Sequence, residues 1–239
     1  MPPDKALLVV RAWLFYFTLG AWALGLLMLV LGQLSWALAS VAIAIIADLA
    51  SRVWSRKFPT PMPYFMRWFL HIPRGPQSPE RLQQILHPKS GERILEIGPG
   101  IGVHALPIAP RLLPNGVLDV LEVQQAMLDE LAARAERAGV TNIVLTRGDA
   151  QELPYPPHSF DAAYLVGVLG EIPDSPTALR QLRRVLKPSG RLIVSEVLID
   201  PDFIPLAGLM RRADDAGFVF DHSAGPVFAY SAMFRPVIA

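Results

Sequence analysis

The residues best spaced for chemistry stand in one stretch, Arg93-Ile94-Leu95-Glu96-Ile97-Gly98-Pro99-Gly100-Ile101-Gly102. Its apolar run reads as a short buried strand, and the alternate glycines read as a turn where backbone approaches a ligand too closely for side chains. A helix is expected over residues 102–111, its unpaired N-terminal amides directed back at the turn. The spacing G-x-G-x-G departs from the dinucleotide fingerprint G-x-G-x-x-G, whose third glycine would fall on Val103. Glu96, two residues before the first glycine, suits a cationic or zwitterionic ligand and would oppose a pyrophosphate. Glu122 and Asp149 each follow a later apolar run, and Glu171 lies in a loop after another.

At these residues the chain resembles the class I S-adenosylmethionine-dependent methyltransferases, within the broad group (methyltransferase type 11) that includes ubiquinone/menaquinone-biosynthesis enzymes. The likeness starts at motif I and runs from about Ser78 onward. Leu186-Lys187-Pro188-Ser189-Gly190-Arg191-Leu192, similar to the family's helix-to-strand turn, is the next most specific match. The resemblance implies S-adenosylmethionine as cofactor, held at Glu96, Gly98, Pro99, Gly100 and Gly102. It implies that Glu122 accepts hydrogen bonds from both ribose hydroxyls, a task for which two carboxylate oxygens are suited. It places Asp149 at the adenine amino group, the Ala150 amide at the ring, Val123 and Met127 in apolar contact with adenine, and Gly167 beneath the methionine end. For Met127 an ordinary helix-core role is an equal reading. Asp161 resembles a strand aspartate that is mainly structural in the family.

The elements needed to position these groups follow from the pattern. Ser78 caps a helix that Pro79 opens. Strands are expected over residues 116–123, 142–146, 159–166 and 191–197, with helices over 124–138, 175–186 and 203–216. Residues 217–221 and 227–234 form a closing hairpin around Gly225-Pro226. The fold class is α/β: a seven-stranded, mostly parallel Rossmann-like methyltransferase sheet with a C-terminal antiparallel hairpin, preceded by an α-helical transmembrane hairpin. Ligands on such sheets sit beyond the carboxyl ends of the strands.

The preceding third of the chain is of another kind. Between Arg11 and Asp48 lie 36 residues without a formal charge, longer than a signal-peptide core and enough for one crossing or, with Gly32-Gln33 as the turn, two. Lys5 and Arg11 precede it, and Arg52, Arg56, Lys57, Arg67 and Arg74 follow it with no acidic residue between Leu49 and Pro79. Basic flanks at both ends favour a hairpin with both ends cytoplasmic, although one span plus an interfacial helix stays open. Trp54, Phe58, Tyr64, Phe65, Trp68 and Phe69 interleave with those basic residues, a composition suited to the headgroup layer. Pro59, Pro61 and Pro63 forbid a continuous helix there, so a short helix is expected over residues 64–70. The domains are therefore a hairpin over 1–52, an aromatic and basic linker over 53–77, and the methyltransferase domain over 78–239.

Composition bounds the rest. At 52% hydrophobic residues, the chain is too apolar for an ordinary soluble enzyme. A net charge of +1 gives no reason to expect a nucleic-acid partner. With no cysteines and 5 scattered histidines, disulfides, thiolate chemistry and a dedicated metal site are not expected.

The implied reaction is in-line transfer of a methyl group from a sulfonium, in which the protein aligns the reactants and excludes water. Glu171 is the first candidate to contact the acceptor or take its proton. His104, Tyr64 and His71 are further candidates, and structural roles stay open for all of these. An integral membrane protein with its catalytic domain on the cytoplasmic face meets amphiphiles at high effective concentration. The expected partners are therefore the lipid bilayer and a lipid-like acceptor: a phospholipid headgroup amine first, with the basic residues holding its phosphate, and an isoprenoid quinone precursor next. An anchored methyltransferase acting on a protein or soluble molecule, and a non-catalytic nucleotide-binding membrane protein, remain alternatives.

Overall fold

The computed structural model describes residues 5–72 and 75–237. Arg74, counted among the basic residues of the linker, lies outside them. The chain divides into two compact units, Pro3–Pro63 and Tyr64–Ala239.

The first unit is a helical hairpin, α1 (Lys5–Val30) and α2 (Leu34–Lys57), turned at Gly32 in the left-handed region. What it buries is small: Ala37, Ser40, Ala44, Ala47, Ser51 and Ser55 line the inner face of α2. A Cβ on Gly25 would stand 3.3 Å from Val41 Cγ2, so α1 lies close against α2 there. What it exposes is large: Trp13, Phe17, Leu26, Trp36 and Ile46. A hairpin in water shows the reverse pattern, whereas small residues inside and large apolar ones outside suit a lipid surround. At about 1.5 Å per residue, helices of 25 and 24 apolar-rich residues exceed the hydrocarbon thickness of about 30 Å. Arg11 donates to the carbonyl of Thr60, which ties the proline-rich end of the unit back to α1.

The second unit begins with a 3-10 helix, Tyr64–His71, and continues into α3 (Pro79–Leu86), whose first turn is capped by Ser78 Oγ accepting from the Arg81 amide at 3.4 Å. Seven strands follow: β1 (Arg93–Ile97), β2 (Val117–Glu122), β3 (Ile143–Arg147), β4 (Phe160–Val166), β5 (Leu186–Val197), β6 (Phe218–Ala224) and β7 (Ala229–Pro236). Their order is β3-β2-β1-β4-β5-β7-β6. The first five strands are parallel and β7 is antiparallel to both β5 and β6. The intervening helices are α4 (Ala105–Ile108), α5 (Gln125–Arg137), α6 (Ser175–Val185) and α7 (Leu206–Asp215). Apolar residues pack on both faces of the sheet: Leu95, Leu165, Leu182 and Phe234 on one, Ile94, Leu118, Leu131 and Tyr164 on the other. This is the expected sheet, with its C-terminal hairpin.

Three local expectations change. The helix expected over 102–111 is only α4 followed by a 3-10 turn, Ala109–Leu112, because Pro107 and Pro110 remove amide donors within it. The helix expected from 203 starts at Leu206, since Phe203 and Ile204 instead enter the core ahead of Pro205. The turn expected over 187–190 is a bulge within β5: Leu186 pairs with Phe160, and pairing resumes at Arg191 opposite Ala162.

Candidate active site

Glu96 is next to last in β1, flanked in register by Val120 of β2 and Tyr164 of β4. Its carboxylate is buried and accepts from the Tyr164 hydroxyl at 2.7 Å. Burial pushes the Glu96 carboxyl up to about 8, the Tyr164 hydrogen bond acting against the rise and the nearby Glu122 adding to it. Burial and Glu96 together hold the Tyr164 phenol well above its ordinary range.

The turn after β1 is held in shape by Gly98 donating to Leu121 and Gly102 donating to Pro99, each at 2.9 Å. Gly98, Gly100 and Gly102 all have positive φ. Two of them also have occupied space where a side chain would begin: a Cβ on Gly98 would stand 2.7 Å from Val168 Cγ2, and one on Gly102 would stand 2.9 Å from Leu131 Cγ. Glycine is therefore required by conformation and by packing alike. At Gly100 a Cβ would lie 3.0 Å from Leu70 Cδ1, so the 3-10 helix Tyr64–His71 reaches over the turn. Pro99 is buried between these glycines.

Glu122 closes β2 beside the turn. Its two oxygens accept from the Gly100 amide at 3.3 Å and the Gln124 amide at 2.9 Å. Burial raises this carboxyl, and the backbone amides of Gln124, Gly100 and Val123 act against the rise. Asp149 follows β3, where Gly148 donates to the Glu122 carbonyl at 3.0 Å and draws the two strand ends together. The Asp149 carboxylate accepts from the Gln151 amide at 2.9 Å, next to the buried Ala150. Val123 is half-buried, whereas Met127 is fully buried in α5. Gly167 directly follows β4, donating to the Ser195 carbonyl at 2.9 Å.

The proposed catalytic groups scatter more widely. Glu171 ends a one-turn 3-10 helix after β4 and is half-buried. His104 is buried, and its Nε2 lies 2.9 Å from the Gln77 carbonyl. A carbonyl oxygen only accepts, so that nitrogen carries the proton in this contact and is occupied as a donor. Tyr64 is half-buried beneath the Arg67 guanidinium, 4.4 Å from its ring centre, and His71 is exposed.

Sequence reasoning missed several neighbours. Nothing in the spacing of Tyr164 within its strand announces a bond to Glu96 across the sheet. Val168 and Leu70 reach the glycine turn from distant segments. At the end of β5, Glu196 is 1% exposed, with Oε2 accepting from the Ile204 amide at 3.3 Å and Oε1 without a hydrogen-bond partner. Burial first, then the neighbouring Asp200, Asp202 and Glu171, hold this carboxyl well above the ordinary range. A carboxylate near the end of an otherwise apolar parallel strand was the signal available for it.

The glycine turn, Glu122, Asp149 and Gly167 thus all stand at the carboxyl ends of β1 to β4. Comparison with known proteins agrees with this geometry. Residues 94–190 match the family described as a methyltransferase domain. The chain is 33% identical over 140 residues to 27-O-demethylrifamycin SV methyltransferase of Amycolatopsis mediterranei, covering 58% of this chain and 50% of that protein. It is 39% identical over 110 residues to 2-phytyl-1,4-naphtoquinone methyltransferase of Synechococcus elongatus, covering 46% and 47%. It is 33% identical over 146 residues to the ubiquinone/menaquinone biosynthesis C-methyltransferase UbiE of Pseudomonas putida, covering 60% and 55%. The chain therefore spans about half the length of these relatives. Among solved structures, a SAM-dependent methyltransferase from Aquifex aeolicus superposes with a TM-score of 0.68 at 16% identity, over 74% of this chain and 100% of that one. The CcbJ methyltransferase from Streptomyces caelestis gives 0.58 at 14% identity, over 68% and 90%. At such identities the structures speak for the fold alone. Residues 94–190 thus match a methyltransferase domain in sequence, and the sheet order and glycine turn agree with the fold of the solved methyltransferases.

Proposed function

We propose that the protein is a membrane-anchored methyltransferase that transfers a methyl group from S-adenosylmethionine to an amphiphile resident in the bilayer, from the cytoplasmic side. The observation that carries this reading is the joining of two units in one chain. One is a hairpin with small residues inside and large apolar residues outside; the other is a domain with a glycine cradle at its strand ends.

The cradle fits the cofactor. Glycines that admit no Cβ leave main chain against the ligand, and Glu122 offers two acceptor oxygens at the place where ribose hydroxyls would lie. Asp149 and the Ala150 amide would take the adenine edge, and Val123 its face. Met127 is fully buried among core residues, so its share in that contact is packing from behind. Bound there, S-adenosylmethionine supplies an electrophilic methyl group on a positively charged sulfur. The protein's own work is positioning: Glu96, ionised when the cofactor binds, would present negative charge to the cationic end, while Val168 and Leu70 pack against the turn. Glu171 remains the candidate for contact with the acceptor or for accepting its proton. Tyr64 and His71 lie in the segment that reaches over the turn, whereas His104 is spent on the carbonyl of Gln77, just ahead of α3.

Two acceptor classes divide the reading. An isoprenoid quinone precursor is favoured by the relatives named for such rings in Synechococcus elongatus and Pseudomonas putida. A phospholipid headgroup amine is favoured by the basic residues Arg52, Arg56, Lys57 and Arg67, whose guanidinium and ammonium groups suit its phosphate. Membranes incubated with methyl-labelled S-adenosylmethionine and the full-length protein, then extracted and resolved by lipid chromatography, separate these. Label in the quinone fraction supports the first class and label in phospholipid supports the second. Label confined to protein or to soluble products overturns the lipid reading.

A further inference from the structure

Two loops at the ligand end of the sheet make a tip of unusual composition. Val197, the last residue of β5, pairs with Ala229, the first of β7. The loop that leaves β5 and the turn that joins β6 to β7 therefore emerge side by side, at the same end as Gly98, Glu122 and Gly167. The Leu198 amide donates to the Phe228 carbonyl at 2.7 Å and links the two loops. Their side chains stand outward: Val227 is 79% exposed, Ile199 72%, Phe228 54% and Leu198 47%. No charged residue occurs from Ala224 to Ala229 or from Val197 to Ile199.

We infer that this tip is a membrane-docking element that dips into the bilayer and holds the acceptor end of the catalytic sheet against the lipid surface. The inference rests on the anchored reading above, which keeps the domain within reach of a bilayer, and it adds the surface by which the domain meets that bilayer. Three observations favour lipid as the occupant. Large apolar side chains at such exposure are a standing cost in water, and a clustered group of them marks an interaction site. Much of the backbone at the tip is bonded within the protein: besides Leu198, Ala229 donates to Pro226 at 2.9 Å, Asp200 to Val197 at 3.0 Å and Phe203 to Asp200 at 3.1 Å. Internal pairing of amides is what an apolar medium requires of any backbone entering it. The neighbouring carboxylates are turned to internal work, Asp200 accepting from the Asp202 amide at 3.1 Å and Asp221 pairing with Arg235 at 3.0 Å. A deformable lipid phase accepts protruding side chains without the matched cavity that a protein partner would need. An amphiphile rising from the bilayer beside the tip would then meet the strand ends directly.

The chain contains no cysteine, so single introduced thiols can be labelled uniquely. Full-length Ile199→Cys, Phe228→Cys and Val144→Cys proteins, the last an exposed apolar position on edge strand β3, would each carry an environment-sensitive fluorophore. They are reconstituted into phosphatidylethanolamine–phosphatidylglycerol vesicles, with and without acyl-chain spin labels, and retained cofactor binding reports a folded domain. The expected result is quenching at 199 and 228 about threefold or more stronger than at 144, with blue-shifted emission. Adding Ile199→Asp to the 228-labelled protein should reduce that quenching by at least about half, because a charge at the tip resists entering the apolar layer. Equal quenching at all three positions would overturn the proposal, as would quenching at 228 indifferent to the added charge. Probes shielded from water yet untouched by lipid labels would also overturn it, and would indicate a protein partner or a second copy. None of these readouts depends on turnover, so a failed tip is distinguishable from a failed acceptor assignment, which the lipid-extraction experiment alone decides.

Discussion

Glu96 shows how a single residue can set the terms for both stability and ligand. Its carboxyl titrates near 4.5 in an ordinary setting and is pushed up to about 8 by burial in the native protein. Between those values the native chain holds a proton that the unfolded chain has released, so its contribution to stability is full below about pH 4.5 and is lost as pH rises to about 8. Glu96→Gln should therefore raise the melting temperature at pH 8.5 and leave it nearly unchanged at pH 5; thermal scans showing the larger gain at pH 5 would refute the assignment. The ligand reverses the balance, because a sulfonium and an ammonium favour the ionised form. Cofactor affinity should climb between pH 6 and 8, by up to about tenfold per unit, then flatten, and titration calorimetry should register a released proton. In Glu96→Gln the affinity should be weak and level with pH. Glu122→Ala removes two charge-assisted acceptors and should weaken the cofactor about 10- to 100-fold, at roughly 1.5–3 kcal/mol for hydrogen bonds to a charged group. Unchanged affinity would remove the ribose assignment. At Gly98, alanine meets both a positive φ and Val168, and a cost of about 1–3 kcal/mol is expected. Adding Val168→Ala should recover only the packing share, since the backbone strain is independent of that side chain.

At the scale of elements, what could be read from sequence was whatever local chemistry settles. Ser78 and Pro79 announce their helix start, Gly32 its turn, and the apolar runs their strands, because capping, φ and burial act within a few residues. The shortness of α4 was also legible, since Pro107 and Pro110 stand in the sequence and each removes an amide donor that a helix over 102–111 would need. The β5 bulge was not readable. Lys187 to Gly190 look like a turn, and it takes the Lys187–Asp161 ion pair at 2.6 Å and the resumed pairing at Arg191 to make them part of a strand. Asp161 belongs to the same joint: burial would raise its carboxyl, and Lys187 with the Arg93 amide more than reverses that. Site contacts such as Tyr164 to Glu96 were hidden for a similar reason, since they are set by strand register and not by neighbours in sequence. Arg191 shows what such long-range joints contribute. Its guanidinium makes a two-point pair with Glu92 at 2.8 and 2.7 Å and donates to the Leu86 and His87 carbonyls, fastening β5 to the end of α3. Arg191→Met leaves a largely buried carboxylate unpaired and should cost about 3 kcal/mol in chemical denaturation. Cofactor affinity should hold, because this joint lies at the opposite end of the strands from the glycine turn.

For the whole molecule, the distribution of charge bears on how the chain is threaded. Lys5 and Arg11 lie in the first turns of α1, and Arg52, Arg56 and Lys57 in the last turns of α2, with the helix-joining turn at Gly32 carrying no charge. Basic residues resist translocation when they lie within about 15–20 residues of a span, so the arrangement of least cost keeps both flanks on the cytoplasmic side and sends only the turn across. A single span with its partner helix lying in the interface would leave the turn and one flank on the same side. The two arrangements differ in one accessible position. In intact cells, a membrane-impermeant maleimide should label Gln33→Cys from outside and should leave Lys5→Cys and Glu136→Cys untouched; in inverted vesicles the pattern should exchange. Labelling of Gln33→Cys together with Glu136→Cys from one side would rule out the double crossing. Removal of the protein by alkaline carbonate would rule out any crossing, and with it the premise that the methyltransferase domain and its acceptor share a membrane.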